Sequence, residues 1–354
     1  MDSKKTSNYH DDLNKKNILH LRELLDTLPP FVSKFFHGIE ERSSTRTRVA
    51  YAYDLRVFFE WLHDQKKSDA SFAAPITEYP MSILDKISRE DIQDYLSYCS
   101  YYVKDGKEYT NEERGKARKL ATLKSFYNFY FTNELIETNP ASLVPMPKLH
   151  EKAIIRLDIN EVATLLDQVE DGVKLTKKEM QYHDKTKTRD LAILTLLLGT
   201  GIRVSEFVGL NMQDIDYDND RIKVRRKGGY DAYVYFGEEV HEALTAYLEE
   251  RKKCIPMSGH EDAMFLSLQN RRITVRSVEN LVKKYASRVT SLKKITPHKL
   301  RSTFGSNLYQ ESGDIYLVAD VLGHKDVNTT QKHYAAIYEE QGRRVQKMVH
   351  LRKD

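Results

Sequence analysis

The proline-rich stretch Asn139–Lys148 constrains the fold of this chain more than any other feature of the sequence. It holds three prolines within ten residues. Each proline fixes its own φ and lacks a backbone N–H, so neither a helix interior nor a central strand runs through such a stretch. We therefore predict a stiff linker over residues 139–155 that separates two domains, and a length of 354 residues also favours two.

The residues before the linker show helical periodicity only. Apolar positions recur three and four residues apart in successive segments, which is the spacing of one helix face. Ser44 is in position to cap one of these helices, and Ser88 begins a capping-box pattern before another. We expect residues 17–138 to form an all-helical domain without strands, preceded by a polar tail over residues 1–16.

The residues after the linker mix helical and strand patterns. Two β-rich runs, Arg221–Arg225 and Ala232–Phe236, surround a Lys-Gly-Gly-Tyr turn, which predicts a hairpin. The apolar run Leu191–Leu198 is too short to span a bilayer, which needs roughly 20 residues. It therefore predicts a buried helix, closed by the glycines that follow it. Residues 174–187 are polar and are expected to form a loop or exposed insertion. Further helices are expected at about 238–253, 276–288, 298–311, 314–322, 327–335 and 339–350. The predicted fold class is therefore mostly α with a small β-hairpin or sheet element.

Charge and cysteine content narrow the class of protein. The net charge is only +4, so a nucleic-acid partner has to be argued from where the basic residues lie. Two cysteines far apart, Cys99 and Cys254, exclude a disulfide framework or a cysteine-based metal site and fit a reducing cytoplasm. The first residues lack an apolar signal region. We expect a soluble, cytoplasmic protein without a membrane partner.

Two arginines and two histidines lie in segments that suit a phosphate site. Arg203 follows a glycine-flanked turn, in which glycine would let the backbone approach a phosphate closely. His298 and Arg301 follow a Thr-Pro helix start and share one face near a helix N-terminus, a position that favours anions. His324 follows a glycine at a tight turn. The planar fork of arginine matches two phosphate oxygens.

A lysine and a tyrosine could supply the covalent steps. Lys227 lies at the predicted hairpin tip, where it could protonate a leaving oxygen, a contribution of typically about 10²–10⁴-fold. Arg225 and Arg226 are rival candidates for that proton transfer. Tyr334 could form a covalent intermediate. Tyrosine is a weak nucleophile at its free pKa of about 10, so it would need the arginines nearby and a base such as His298.

The order of these residues and the strings around them resemble the tyrosine recombinases, the family of phage integrases and Xer recombinases. The matching strings are Gly-Thr-Gly-Ile-Arg-Val-Ser-Glu, Pro-His-Lys-Leu-Arg, and Leu-Gly-His with Thr-Thr-Gln before the tyrosine. The lead-in before residue 43, the Arg-Lys-Gly-Gly hairpin and residues 174–187 are similar to the XerS type of streptococci and lactococci. Two features depart from the common pattern. The hairpin reads Arg-Lys-Gly-Gly in place of Gly-Lys-Gly, and an extra residue before the tyrosine leaves His333 beside it without an assigned role.

That resemblance implies an architecture. A helical core-binding domain at 17–138 and an α+β catalytic domain at 156–335 would form a C-shaped clamp around DNA. A tail helix over 336–354 would be exchanged between subunits. The basic residues expected to touch DNA, mostly at phosphates, are Arg46, Arg48, Arg114, Lys116, Arg118, Lys119, Arg225 and Arg226.

The resemblance also implies a mechanism. Tyr334 would attack a scissile phosphate, form a 3′-phosphotyrosyl bond and release a 5′-hydroxyl, and strands would exchange through a Holliday junction. His298 would act as general acid or base, and Glu206 would support the site without touching the phosphate. The phosphate would be held by Arg203, Arg301 and His324, and the leaving oxygen protonated by Lys227. No metal, ATP or other cofactor is implied.

The partners implied are duplex DNA, a homodimer on one site, a homotetramer in the synapse and a division protein such as an FtsK-type translocase. Chromosome-dimer resolution at a dif-like site is the expected role. Three alternatives remain open at this point: an integrase of a phage or transposon, a type IB topoisomerase, and a DNA-binding protein without catalytic activity.

Overall fold

The computed structural model describes residues 9–150, 154–226, 228–324 and 327. The chain divides into two compact units, Met1–Glu151 and Lys152–Asp354, and the division falls inside the stretch predicted as a linker. Lys227, His333, Tyr334 and the predicted helices beyond residue 327 lie outside the described residues. In the part that is described, no helix is both long enough and apolar enough to cross a membrane.

The first unit is built from helices around an aromatic core. Phe35 of the second helix, Phe58 and Phe59 of the third, and Phe126 of the fifth are all buried. The rings of Phe35 and Phe126 meet edge to face with centroids 5.3 Å apart, an arrangement that aromatic quadrupoles favour. The elements are α1 (Tyr9–Leu25), α2 (Val32–Gly38), α3 (Thr45–Lys66), α4 (Arg89–Tyr98), β1 (Tyr101–Lys104), β2 (Lys107–Thr110) and α5 (Glu113–Thr132), with 3₁₀ turns at Ala70–Phe72, Ile76–Glu78, Met81–Lys86 and Pro140–Leu143.

Both predicted serine caps are confirmed. The Ser44 hydroxyl accepts a hydrogen bond from the Thr47 N–H at 3.1 Å. Ser88 and Asp91 form a reciprocal capping box at the start of α4. The first helix begins earlier than the sequence indicated, at Tyr9, within the stretch predicted as a polar tail.

The expectation that the first domain lacks strands was wrong. Helix α4 ends at Tyr98, and the strand β1 begins three residues later, at Tyr101. The two strands pair antiparallel around Asp105 and Gly106, whose φ values are 52° and 70°. Two residues with positive φ form the turn that best matches strand twist, and Asp-Gly is its usual sequence. The signal was therefore present and was outweighed by the helical periodicity before it.

The second unit surrounds a small antiparallel sheet with helices. The predicted hairpin is confirmed, and a short third strand joins it in the order β3-β4-β5. The elements are α6 (Ile159–Asp171), α7 (Lys177–His183), α8 (Lys187–Thr200), α9 (Val204–Gly209), β3 (Ile215–Asp216), β4 (Arg221–Arg225), β5 (Asp231–Tyr235), α10 (Glu238–Lys253), α11 (Val275–Val289), α12 (Pro297–Ser312) and α13 (Ile315–Leu322), with a 3₁₀ turn at Met212–Asp214.

Residues 174–187 form more than the loop that was expected. They contain α7, which begins with a capping box between Thr176 and Glu179. Its last residue, His183, is buried against Tyr285 of α11, with 3.2 Å between the ring nitrogen Nδ1 and the phenol oxygen. A Thr-x-x-Glu pattern is typical of a helix start, so the sequence does carry a local signal for α7.

Gly201 ends α8 for reasons of conformation and space. Its φ is +60°, and a Cβ there would lie 2.3 Å from the ring of Phe304 on α12. A glycine is required because the left-handed conformation and the helix contact both exclude a side chain. The close approach at this glycine is therefore between α8 and α12, whereas the sequence suggested an approach to phosphate.

We expect Gly201→Ala to destabilise the second unit by about 2–4 kcal/mol, since it adds left-handed backbone strain to an overpacked contact. Chemical denaturation followed by circular dichroism measures this loss. Gly313→Ala is the matched control, because Gly313 ends α12 at φ +67° with nothing within 4 Å of a built Cβ. Its loss should be about 1 kcal/mol. Equal losses in the two variants would contradict the proposed clash with Phe304.

Candidate active site

Arg203 is held by a buried carboxylate. It is the residue before α9, and its backbone N–H donates to Glu206 Oε2 at 2.8 Å. Its Nη1 donates to Glu206 Oε1 at 2.8 Å, and its Nη2 donates to the carbonyl of Gly323 at 3.1 Å. Glu206 is 4% exposed. The carboxylate therefore fixes both the backbone and the guanidinium of Arg203, which fits the supporting role expected for Glu206.

Arg301 joins three elements of the second unit. It lies on α12 and is buried. Its Nη1 donates to the carbonyl of Gly201 at 2.6 Å, just beyond α8, and its Nη2 donates to the carbonyl of Leu322, the last residue of α13. His298 lies one turn earlier on the same helix, with part of its side chain exposed and part buried. The predicted common face of His298 and Arg301 is thus at the N-terminal end of α12.

Arg203, Arg301 and His324 meet at the C-terminal end of α13. Helix ends leave carbonyl groups without intrahelical partners, and cations are favourable there. Gly323 adopts the left-handed conformation after α13, and the next residue, His324, donates its backbone N–H to the carbonyl of Ala319 at 2.9 Å. Three arginines donate to the last three carbonyls at this end. Arg226 donates to the carbonyls of Val321 and Leu322, Arg301 also donates to that of Leu322, and Arg203 donates to that of Gly323.

His324 lies beside this group of arginines. It is partly buried and lines a cavity of about 620 Å³ together with Gly323 and Arg226. Three guanidinium groups and one carboxylate, that of Glu206, therefore leave an excess of positive charge next to two histidines. Such an excess suits an anion.

His298 lies in the electrostatic field of the same arginines. Partial burial of the ring, followed by the positive charges of Lys299, Arg301 and Arg203, lowers the pKa of His298 below its ordinary value. Two of the three charges that act on it belong to the arginines described above. The imidazole is therefore neutral at pH 7 and can accept a proton.

We expect the ring of His298 to titrate with a midpoint below about 6.5, the value of an unperturbed histidine. Because the folded pKa is depressed, the folded state binds fewer protons, and the stability contributed by the neutral ring is lost as pH falls below about 6.5. Histidine side-chain NMR over pH 4–8, with His298→Gln to identify the signal, measures the midpoint. A midpoint at or above 6.5 would rule out the proposed electrostatic link to Arg203 and Arg301.

Several basic residues that were expected to touch DNA are occupied inside the protein. Arg48 is 8% exposed and its Nη1 donates to Glu40 at 2.6 Å. Lys119 is 4% exposed and its ammonium lies 3.3 Å from Asp54. Arg118 also donates to Asp54, but its side chain is 51% exposed. Burial and internal pairing argue against phosphate contacts by Arg48 and Lys119.

Asp54 is a structural residue that the sequence reading missed. Its carboxylate is buried on the core face of α3 and also accepts from the Thr122 hydroxyl at 2.9 Å. The sequence carries a signal for this role, because Asp54 directly precedes Leu55 on the apolar face of the helix. A carboxylate that is buried at such a position requires a polar or charged partner. Of the other basic residues in this unit, Arg46 and Arg114 are exposed, while Lys116 is half-buried and donates to Ser100 at 3.2 Å.

Fixed guanidinium groups beside an imidazole are typical of one class of protein, the enzymes that stabilise charge on a transferring phosphoryl group. Residues 156–341 match the family described as the phage integrase family. The chain belongs to this family and is a tyrosine recombinase of the XerC/XerD type, an enzyme that cuts and rejoins DNA.

Curated relatives match most of the chain. Tyrosine recombinase XerC of Caldanaerobacter subterraneus subsp. tengcongensis is 35% identical over 313 residues, which cover 86% of this chain and 82% of the relative. Tyrosine recombinase XerC of Thermodesulfovibrio yellowstonii is 33% identical, with 87% and 95% covered. Tyrosine recombinase XerD of Staphylococcus epidermidis is 28% identical, with 90% and 96% covered.

Solved structures share the fold. The XerH site-specific recombinase bound to a palindromic difH substrate, in a post-cleavage complex, superposes with a TM-score of 0.62 at 15% identity and covers 97% of each chain. The Tn1549 transposon integrase in complex with a circular intermediate DNA gives a TM-score of 0.60 at 20% identity, covering 87% of this chain and 98% of the integrase. At these identities the likeness concerns the fold alone.

Proposed function

We propose that this enzyme is a site-specific recombinase that resolves chromosome dimers at a dif-like site. The observation that carries the proposal is the convergence of Arg203, Arg301 and His324 at the end of α13, with His298 inside the same field. The relatives named XerC and XerD support the Xer-type role. A fold neighbour, XerH, is bound to a difH substrate, which supports the choice of DNA.

The proposed chemistry is transfer of a phosphodiester to a tyrosine. The phenol oxygen of Tyr334 attacks the scissile phosphorus, a 3′-phosphotyrosyl bond forms, and the bond to the 5′-oxygen breaks. His298 accepts the phenol proton, and Lys227 gives a proton to the leaving oxygen. The 5′-hydroxyl of a partner strand then attacks the phosphotyrosine and restores a phosphodiester, with the proton transfers reversed. The number of ester bonds is unchanged, so the cycle needs no ATP.

Arg203, Arg301 and His324 would stabilise the charge on the two nonbridging oxygens in the transition state. Removal of one such preorganised donor typically costs about 3–4 kcal/mol of the barrier. Preorganisation is visible at Arg203, whose position is set by the buried Glu206. A site of this kind acts through fixed positive charge and does not require a metal.

The proposed assembly is a homodimer on one DNA site and a homotetramer when two sites are joined. A fold neighbour, the lambda integrase, is a tetramer bound to a Holliday junction, which supports this arrangement. We further propose that the enzyme acts in the cytoplasm, and that a DNA translocase of the FtsK type activates it at division. We retain as phosphate contacts the predicted basic residues of the first unit that are not buried, namely Arg46, Arg114, Lys116 and Arg118.

A suicide-substrate assay tests the function. Nicked duplexes that carry candidate dif sites, transposon ends or random sequence are incubated with the protein in EDTA. Denaturing gels then reveal covalent protein–DNA species. We expect an adduct on a dif-like duplex. An adduct confined to transposon ends would assign an integrase role in place of dimer resolution. Sequence-specific binding with no adduct on any substrate, even with an added translocase domain, would contradict the catalytic assignment.

A further inference from the structure

Arg226 is buried where the sequence suggested a DNA contact or a substitute for Lys227. It is 6% exposed. Its Nη1 lies 3.4 Å from Glu206 Oε2 and 3.2 Å from the carbonyl of Leu322, and its Nη2 donates to the carbonyl of Val321 at 2.9 Å. These acceptors inside the protein engage both terminal nitrogens of the guanidinium, and one of the acceptors is a carboxylate.

The backbone of Arg226 forms the base of the hairpin tip. Its N–H donates to the carbonyl of Tyr230 at 2.8 Å, and its carbonyl accepts from the Gly229 N–H at 3.0 Å. The side chain crosses from there to the end of α13. Space for it exists because residue 323 is a glycine, at which a Cβ would lie 2.9 Å from the guanidinium carbon. Arg226 thus connects the hairpin, Glu206 and the turn before His324.

Arg226 shares its acceptors with the arginines of the site. Glu206 accepts from Arg203 and from Arg226, and the carbonyl of Leu322 accepts from Arg301 and from Arg226. A carboxylate with two cationic partners is fixed in orientation more firmly than one with a single partner, since hydrogen-bond networks constrain every member. Removing Arg226 therefore loosens two acceptors on which Arg203 and Arg301 depend.

We propose that Arg226 is a positioning residue for phosphate binding. It orients Arg203 through Glu206 and fixes the Leu322–Gly323 turn that presents His324, and it does not touch the DNA. This inference rests on the proposed function. It also accounts for the departure of the hairpin from the common Gly-Lys-Gly pattern, because the Arg-Lys-Gly-Gly sequence places an arginine where the common pattern has a glycine.

The test compares Arg226→Met with wild type in the full-length chain. Single-turnover covalent attachment is measured on three suicide substrates, whose scissile linkage is a phosphodiester, a methylphosphonate or a 5′-bridging phosphorothiolate. A methylphosphonate lacks one nonbridging charge, so it needs the arginines less. A 5′-bridging phosphorothiolate expels a thiolate, which is a far weaker base than an alkoxide, so its departure needs no general acid.

On the phosphodiester, we expect the attachment rate of Arg226→Met to fall on the order of 100-fold, as a slight misplacement of reacting groups does, with DNA affinity unchanged. The methylphosphonate should restore most of the rate relative to wild type, and the phosphorothiolate should not. Lys227→Ala should show the opposite pattern. Arg226→Lys, which keeps the charge but cannot reach all three acceptors, should give an intermediate rate and serves if the methionine variant does not fold.

Arg251→Met is the matched control. Arg251 is 4% exposed and its guanidinium donates to the carbonyls of Ala263 and Glu261 at 3.0 and 2.7 Å, away from the site. It should attach at the wild-type rate once folded.

Rescue of Arg226→Met by the phosphorothiolate alone would overturn the proposal and assign its effect to the leaving group. An equal loss on all three substrates, or a wild-type rate, would overturn it as well. Failure of wild type on every substrate would instead remove the proposed function.

Discussion

Tyr334→Phe is expected to abolish covalent attachment to DNA and to leave DNA affinity at the wild-type value. Phenylalanine lacks the oxygen that would form the phosphotyrosyl bond, and neighbouring groups cannot replace a nucleophile. Attachment is read as a protein–DNA band that survives denaturation on a suicide substrate, and affinity as a gel shift on the intact duplex. The expected loss exceeds that of any other substitution considered, because the variant removes the reacting atom itself.

The control for this variant is Tyr316→Phe. Tyr316 lies in the first turn of α13 and is 71% exposed, so its phenol has no structural role that the substitution would remove. It should attach at the wild-type rate. An adduct that persists in Tyr334→Phe would show that another side chain is the nucleophile. Loss of DNA binding in the same variant would mean that the substitution disturbs the fold.

Glu206→Gln is expected to give the second largest effect. The carboxylate is 4% exposed and is the charged partner of Arg203 and Arg226. Removing one member of a buried ion pair costs about 3–5 kcal/mol, since the remaining charges stay uncompensated. We also expect the attachment rate to fall by about 10²–10³-fold, because Arg203 loses the acceptor that fixes its guanidinium. Denaturation curves and single-turnover attachment measure the two effects.

Glu179→Gln is the matched control for Glu206→Gln. Glu179 occupies the same capping-box position on α7, where its carboxylate accepts from the Thr176 N–H at 2.9 Å and pairs with Arg288, but its side chain is 30% exposed. Its loss should not exceed about 1 kcal/mol, with wild-type attachment. Equal effects at the two positions would show that the capping interaction, and not the buried pairing with Arg203, explains the loss.

A double-mutant cycle connects the two residues that share this carboxylate. If Arg226 acts on the phosphate-binding groups through Glu206, Glu206→Gln combined with Arg226→Met should lose less attachment rate than the product of the single losses. Residues in one hydrogen-bond network show such non-additivity. Strictly multiplicative losses would mean that Arg226 and Glu206 act independently.

Local signals in the sequence determined where most of the described helices and the β4–β5 hairpin lie. Ser44, Ser88 and Asp158 each precede a helix and cap it in the structure, because a cap needs only residues within one turn. The predicted helix at residues 238–253 coincides with α10. The signal for the β1–β2 hairpin is equally local, since Asp105-Gly106 is its turn, but it directly follows a helical pattern that hides it.

The sequence also supplied the order of Arg203, His298, Arg301 and His324, and their resemblance to a family that the comparisons confirm. The roles of these residues, of Lys227 and of Tyr334 stay predictions, as does the XerS type. The chemistry of each residue type could be argued from the sequence. Their spatial arrangement could not.

Only the tertiary structure shows which partners the inward-facing charged residues find. Arg226 and Leu322 are 96 residues apart in sequence, and Arg118 and Asp54 are 64 apart. The alternation along β4 places Arg226 on the same face as the buried Ile222 and Val224, and Arg225 on the other. The carbonyls that let a guanidinium stay on the buried face come from the distant end of α13. A cap depends on the next few residues, whereas burial of a guanidinium depends on carbonyls and carboxylates that distant segments bring to it.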